Sequence, residues 1–209
     1  MPHVADVVRA LKLAQPGLDQ LRSNYSFEIE YVPTNNALPD ASDALFRSVL
    51  RENALGIIGD YSNEFTIAQA LSASHFRRYM CSGSATSDTL STPGYKSFYR
   101  SIASESQQGV ALAFFIRAMA WTRVNLVYHP DYRSAAERFI QQADQLGIAV
   151  STTQTFSVDS RSDFSSHLSA LINTGTLVHV LFATPASSLG ILKAAKNVGL
   201  TGTGNTWLL

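Results

Sequence analysis

The sequence predicts an α/β fold in which parallel sheets are flanked by helices. Three observations lead there. Apolar runs such as residues 55–58 and 177–182 have strand length and little polar content. Longer segments with apolar residues three and four apart separate them, as amphipathic helices require. The alternation continues through nearly the whole chain, and helices inserted between strands cover both faces of a parallel sheet.

The elements follow in order. Val7, Leu11, Ala14, Leu18 and Leu21 form a helical stripe, which Pro16 is expected to kink or restart. Phe27, Ile29 and Tyr31 alternate with polar residues, the pattern of a half-exposed strand. Residues 33–40 are a polar loop with two prolines, and Asp40 is expected to cap a helix carrying Leu45, Val49 and Leu50. A buried strand at 55–58 closes on Gly59. A helix from about Asn63 places Ile67 and Leu71 on one face, and 79–82 is another short strand. The Ser/Thr/Gly/Pro-rich stretch 84–94 is loop, and 98–102 is a strand.

Ser104 and Gln107 form a capping box for a helix apolar along Val110, Leu112, Phe114, Phe115 and Met119. Residues 124–128 are a strand. Phe139, Ala143 and Leu146 mark a helix stopped by Gly147, and a strand begins at 148. Phe164, Leu168 and Leu171 mark a helix stopped by Gly175, before the strand 177–182. Thr184 caps, Pro185 opens and Gly199 ends the last helix. A final strand begins at Trp207. A break near residue 102 divides the chain into two units.

The chain has 209 residues, 45% apolar and 15% charged, with no formal net charge. That composition is globular and large enough for a substantial core. Neutrality excludes a nucleic-acid binder, which needs a basic face against phosphate. No basic amphipathic stretch points to a membrane surface. Cys81 is the single cysteine, so neither an internal disulfide nor a cysteine metal cluster is available. It is expected to be a small buried hydrophobe near a strand end. The first 13 residues carry Asp6, Arg9 and Lys12 and lack the apolar centre of a signal peptide. No run of about 18 apolar residues occurs that would span a bilayer. Asn24-Tyr25-Ser26 is a glycosylation triplet.

In doubly wound sheets a ligand sits beyond the carboxyl ends of the strands. The loops to inspect are 59–64, 82–90, 103–105, 128–133 and 183–185. Ser62, Ser84 and Thr86 supply hydroxyls, and the helix starting near Asn63 points free N–H groups at the same space. That set suits a carboxylate or another small anion. Helix capping and turn formation are the commoner work of the same residues. Glu105, in a first helical turn, is either a dipole partner or a contact for a ligand cation. Tyr132, after Pro130-Asp131, is either a surface residue or the wall of a cleft.

Enzyme signatures are missing. Gly83-Ser84-Ala85 is not a nucleophile elbow. His75, His129, His167 and His179 lack metal-ligand spacing. Gly202-Thr203-Gly204-Asn205 lacks the lysine of a phosphate loop and follows a helix. The expectation is a binding protein without catalytic residues, metal or cofactor.

The ordered motifs resemble a known family. Gly56-Ile57-Ile58-Gly59, then Ser62, then Ser84-Ala85-Thr86-Ser87 with Leu90-Ser91, is similar to the first lobe of the receptor-family ligand-binding region. The likeness continues through Phe98-Tyr99-Arg100-Ser101-Ile102, Gln108, Trp121-Thr122 with Val124, and Tyr132. That family includes metabotropic glutamate, GABA-B, calcium-sensing and natriuretic-peptide receptors, and bacterial branched-chain amino-acid-binding proteins.

The resemblance implies a two-lobed, type I periplasmic-binding-protein-like fold, incomplete at both ends. Residues 1–102 would be lobe 1, lacking the family's first strand, and 103–209 a truncated lobe 2. It implies that Ser84, the Ala85 backbone and Thr86 hold the carboxylate of an amino-acid-like ligand. Ser62 and Asn63 would stand beside them, Asn63 where the family often has serine. Glu105 would meet the ammonium group, and Tyr132 would close from lobe 2. Arg133 stands where the family has a small glycine and is expected to crowd or recharge the cleft.

The function implied is the extracellular domain of a plasma-membrane receptor, G-protein coupled, signalling by closure as a homo- or heterodimer joined to a membrane domain. The alternative is a soluble substrate-binding protein of an amino-acid transporter.

Overall fold

The computed structural model describes residues 2–21, 28–32, 37–49, 54–60, 62–156 and 164–209. The triplet at Asn24, the residues Phe27 and Leu50, and positions 33–36 of the expected loop lie outside them. So do the side chains of Val7, Leu18, Leu21 and Val49.

Two helices come first, α1 (Pro2–Leu21) and α2 (Leu38–Val49). Pro16 lies inside α1, which runs through it as one helix. Asp40 sits in the first turn of α2 instead of capping it. A carboxylate there faces the positive end of the helix dipole. Ile29 and Tyr31 belong to no strand.

A βα run follows: β1 (Gly56–Ile58), α3 (Asn63–His75), β2 (Tyr79–Ser82) and β3 (Phe98–Arg100). The strands pair in parallel in the order β1-β2-β3. Two short 3-10 turns, Asp88–Ser91 and Pro93–Tyr95, break the loop between β2 and β3. Leu45, Ala70, Ala73, Met80, Ala85 and Leu90 form the core on one side of this sheet. On its other face Ile58, Tyr79, Cys81 and Tyr99 are exposed. Cys81 is therefore not the buried hydrophobe expected, because strand alternation turns it away from its buried neighbours Met80 and Ser82.

The second sheet takes its strands from α4 (Glu105–Ala118), β4 (Arg123–Tyr128), α5 (Arg133–Gln145), β5 (Ala149–Thr155), α6 (Ser165–Asn173), β6 (Val178–Phe182), α7 (Pro185–Asn197) and β7 (Thr206–Leu208). The order is β5-β4-β6-β7, all parallel. β6 is buried along its length, as a central parallel strand must be. One core lies under α4 and α5, around Ile116, Val124, Leu126 and Phe139, with Trp121 packed at its side. The other lies under α6 and α7, around Leu171, Leu181 and Ile191.

The faces of two helices differ from expectation. In α4 the buried residues are Glu105, Gly109, Ala113 and Ile116, whereas Phe114, Phe115 and Met119 are exposed. Small residues face α5 because the two backbones nearly touch there. In α3 Leu71 is exposed, and Phe65, Thr66, Gln69, Ala70 and Ala73 are buried.

Inside the second sheet, His179 and Asn125 are fully buried. The Asn125 amide reaches the His179 Nδ1 at 3.3 Å, and its oxygen accepts from the Thr174 hydroxyl at 3.0 Å. His179 Nε2 meets the Asn205 oxygen at 3.2 Å, and the ring stacks on Trp207. Burial pushes the imidazole pKa down, opposed by the Asn205 hydrogen bond.

Candidate functional site

The polar loops meet where β1 and β2 end and α3 and α4 begin. Ser62 caps α3, its hydroxyl accepting the Phe65 N–H at 3.1 Å. Asn63 is the first residue of that helix, so its side chain projects from the helix end toward the β2 loop. Its Oδ1 accepts the N–H groups of Thr86 at 2.8 Å and Ser87 at 3.0 Å. Its Nδ2 donates to Glu105 Oε1 at 2.9 Å and lies 3.5 Å from the Thr86 hydroxyl.

Ser82, buried at the end of β2, serves the preceding stretch of the loop. Its hydroxyl accepts the N–H groups of Ser84 at 3.2 Å and Ala85 at 3.1 Å, and donates to the Asp60 carbonyl. The Ser84 hydroxyl donates to the same carbonyl at 3.3 Å. Four consecutive amides, 84 to 87, are thus satisfied by two side chains. Arg100 holds the loop from below, donating to the carbonyls of Thr86 at 3.1 Å and Ser87 at 2.9 Å and to the Ser91 hydroxyl.

Glu105 is only 3% exposed. Its Oε1 accepts from Asn63 and from the Thr86 hydroxyl at 3.1 Å, and its Oε2 accepts from the Ser134 hydroxyl at 3.0 Å. Both oxygens of this buried side chain thus have donors, as a buried polar group requires. The Glu105 N–H closes the contact by donating to the Thr86 carbonyl at 2.9 Å. Asp88 docks beside it, accepting from the Ser106 N–H at 3.1 Å and hydroxyl at 2.7 Å. Burial works to raise the Asp88 carboxyl. Hydrogen bonds from the side chains of Ser106, Ser104 and Ser134 and from the Ser106 backbone outweigh it and hold the group below its usual range.

The structure therefore joins Asn63, Thr86 and Glu105 directly. Ser62, Ser84 and Ala85 flank them on the same loops. Tyr132 immediately precedes α5. It is half-buried against the core under α4 and α5, and its N–H donates to the His129 carbonyl. Ser134, two residues on, donates to Glu105 from that segment. Ser82, Asp88 and Ser134 did not stand out in the sequence. Ser82 closes a strand, Asp88 sits in a loop of turn-forming residues, and no spacing links Ser134 to a partner 29 positions away.

The family model for the receptor family ligand binding region matches residues 13–209. The chain belongs to that family. The family's description is that of a ligand-binding region. Among the described residues no group of three or more His, Cys, Asp or Glu is placed to hold a metal. The chain superposes on the crystal structure of an ABC transporter substrate-binding protein from Desulfitobacterium hafniense in complex with Leu. The TM-score is 0.80 at 19% identity, over 91% of this chain. The match confirms the two-lobed α/β architecture of parallel sheets with flanking helices. The chain spans 58% of that structure's length. No curated protein matches it in sequence.

These findings correct one expectation. The ectodomain of a G-protein-coupled membrane receptor is not the reading they support, because the structure superposed here is that of an ABC transporter's substrate-binding protein. No helix among the described residues is long and apolar enough to cross a membrane. The transporter-type binding protein, held as the alternative, is the better supported of the two.

Proposed function

We propose that the chain is the ligand-gripping part of a substrate-binding protein of the ABC-transporter type. It takes a small amino-acid-like molecule between two lobes, residues 1–102 and 103–209, and does not transform it. The protein works outside the cytoplasmic membrane, where such a carrier meets both its ligand and the transporter. The observation that carries the reading is the meeting of Asn63, Thr86, Glu105 and Ser134 at one point between the two sheets. Supporting it is the fold shared with a protein whose crystal holds Leu.

Ser62, Ser84, Ala85 and Thr86 line the lobe 1 side of the proposed cleft, Asn63 and Glu105 its floor, and Tyr132 the opposite wall. The Ser62 hydroxyl, which accepts from Phe65, keeps its proton for a ligand, whereas the Ser84 and Thr86 hydroxyls would have to turn from Asp60 and Glu105 to donate. A ligand that both lobes touch favours the closed arrangement, and closure is what a transporter recognises.

Calorimetric titration with leucine, valine, glycine, glutamate and γ-aminobutyrate tests this reading. At least one is expected to bind saturably, and Thr86→Ala to weaken it about tenfold through the loss of a hydrogen bond to a charged group. A folded chain that gives no heat with any of them would sink the proposal.

A further inference from the structure

Contacts cross between the two lobes in both directions. Asp88, on the lobe 1 loop, takes the amide and hydroxyl of Ser106 at the start of α4. Glu105, rooted in α4, reaches back to Asn63 and Thr86 while keeping its other oxygen on Ser134 of α5. Asn63 is the piece both depend on. One end of its carboxamide fixes the amides of Thr86 and Ser87, and the other donates to Glu105. A serine at that position has one oxygen on a short stem and cannot span the loop and the carboxylate together.

We infer that Asn63 is a positioning residue that clasps the two lobes through Glu105 and Ser134 before any ligand arrives. The reason is the accounting of donors around a buried charge. With the lobes together, Glu105 has three donors, two of them from lobe 1. Drawing the lobes apart leaves the carboxylate with Ser134 alone until water replaces the rest. The clasp therefore raises the population of the closed arrangement, and with it the apparent affinity for whatever the closed cleft accepts. The inference does not rest on the ligand proposed above, because its test uses no ligand.

Spin labels on Cys81 in lobe 1 and on a cysteine introduced by Asp144→Cys in lobe 2 report the separation of the lobes by electron–electron dipolar spectroscopy. The unmodified clasp is expected to give one narrow distance distribution. Asn63→Ser removes both ends of the bridge and is expected to increase the long-distance population about tenfold, the effect of one charge-assisted hydrogen bond. Asn63→Asp keeps the acceptor for Thr86 and Ser87 but sets a second carboxylate against Glu105, so it broadens the distribution at least as much. A distribution unchanged in both variants overturns the inference, even where their urea midpoints fall, because a purely structural asparagine would lower stability without separating the lobes. Should the Asn63 variants fail to fold, Glu105→Ala removes the lobe 2 end of the bridge, leaves Asn63 on the amides of Thr86 and Ser87, and decides alone. Broadening supports the clasp, and an unchanged distribution overturns it.

Discussion

A Cβ built on Gly109 would stand 2.3 Å from the carbonyl oxygen of Ala135, so α4 and α5 cross backbone against backbone. The same atom would come within 3.2 Å of the Phe139 nitrogen. Neither neighbour is a side chain that can swing away. Gly109→Ala is expected to destabilise by about 1–3 kcal/mol, the usual cost of overpacking. Helix propensity alone would favour alanine by about 1 kcal/mol, so a rise in the urea midpoint would show that the crossing relaxes freely.

Asn125 holds the second sheet by its polar contacts. Its amide lies 3.4 Å from the Leu171 and Thr176 carbonyls as well as near His179, and its oxygen takes Thr174. Asn125→Leu removes these contacts from a buried network and is expected to cost about 2–4 kcal/mol. Adding His179→Gln should cost less than the sum of the two changes, because both act in one network. Full additivity in a double-mutant cycle would refute the network.

His179 makes that network sensitive to pH. Its folded pKa lies below the ordinary value of 6.5, with desolvation as the main cause. The unfolded chain therefore binds the proton first on acidification. Stability is expected to be level above about pH 6.5 and to fall as pH drops from there through the folded pKa. His179→Gln should flatten this part of the profile. An identical acid limb in both proteins, measured by urea midpoints between pH 8 and 5, would assign the effect to other groups.

Asp88 governs a lower window. Its folded pKa is held below the ordinary 3.8, so the stability it contributes is present above that value and is lost as pH falls further. The group is partly open to solvent, and screening limits its contribution to about 1 kcal/mol or less. Asp88→Asn is expected to lower the midpoint slightly at pH 7 and to match the parent protein near pH 2. Equal stability at pH 7 would mean that Ser106 finds water as good a partner.

Much of this architecture was legible in the sequence, and the limits have physical reasons. Ser104 and Gln107 announced the start of α4, and the structure forms their capping box. Thr184 with Pro185 and the positive-φ Gly147 and Gly199 marked helix ends as expected. Which face of α4 is buried was not legible. Phe114 and Phe115 look like core by hydrophobicity, but α4 turns the face of Glu105, Gly109, Ala113 and Ile116 inward, and at Gly109 the α5 backbone leaves no room for a side chain. Of the joined residues, Thr86 stands out by its loop after a strand, Glu105 by its first helical turn, and Asn63 only through the family resemblance. Their joining through Ser134 depends on how two sheets fold toward each other, and local spacing carries no record of that.

Trp121 packs beside the core under α4 and α5, and Trp207 stacks on His179. These are the only tryptophans in the chain, and both sit with the four-stranded sheet. Intrinsic fluorescence excited at the indole band thus watches one half of the molecule and is nearly blind to the other. If the three-stranded half loosens first on heating, the emission curve will stay flat through that event, while a probe on Cys81 will already have responded.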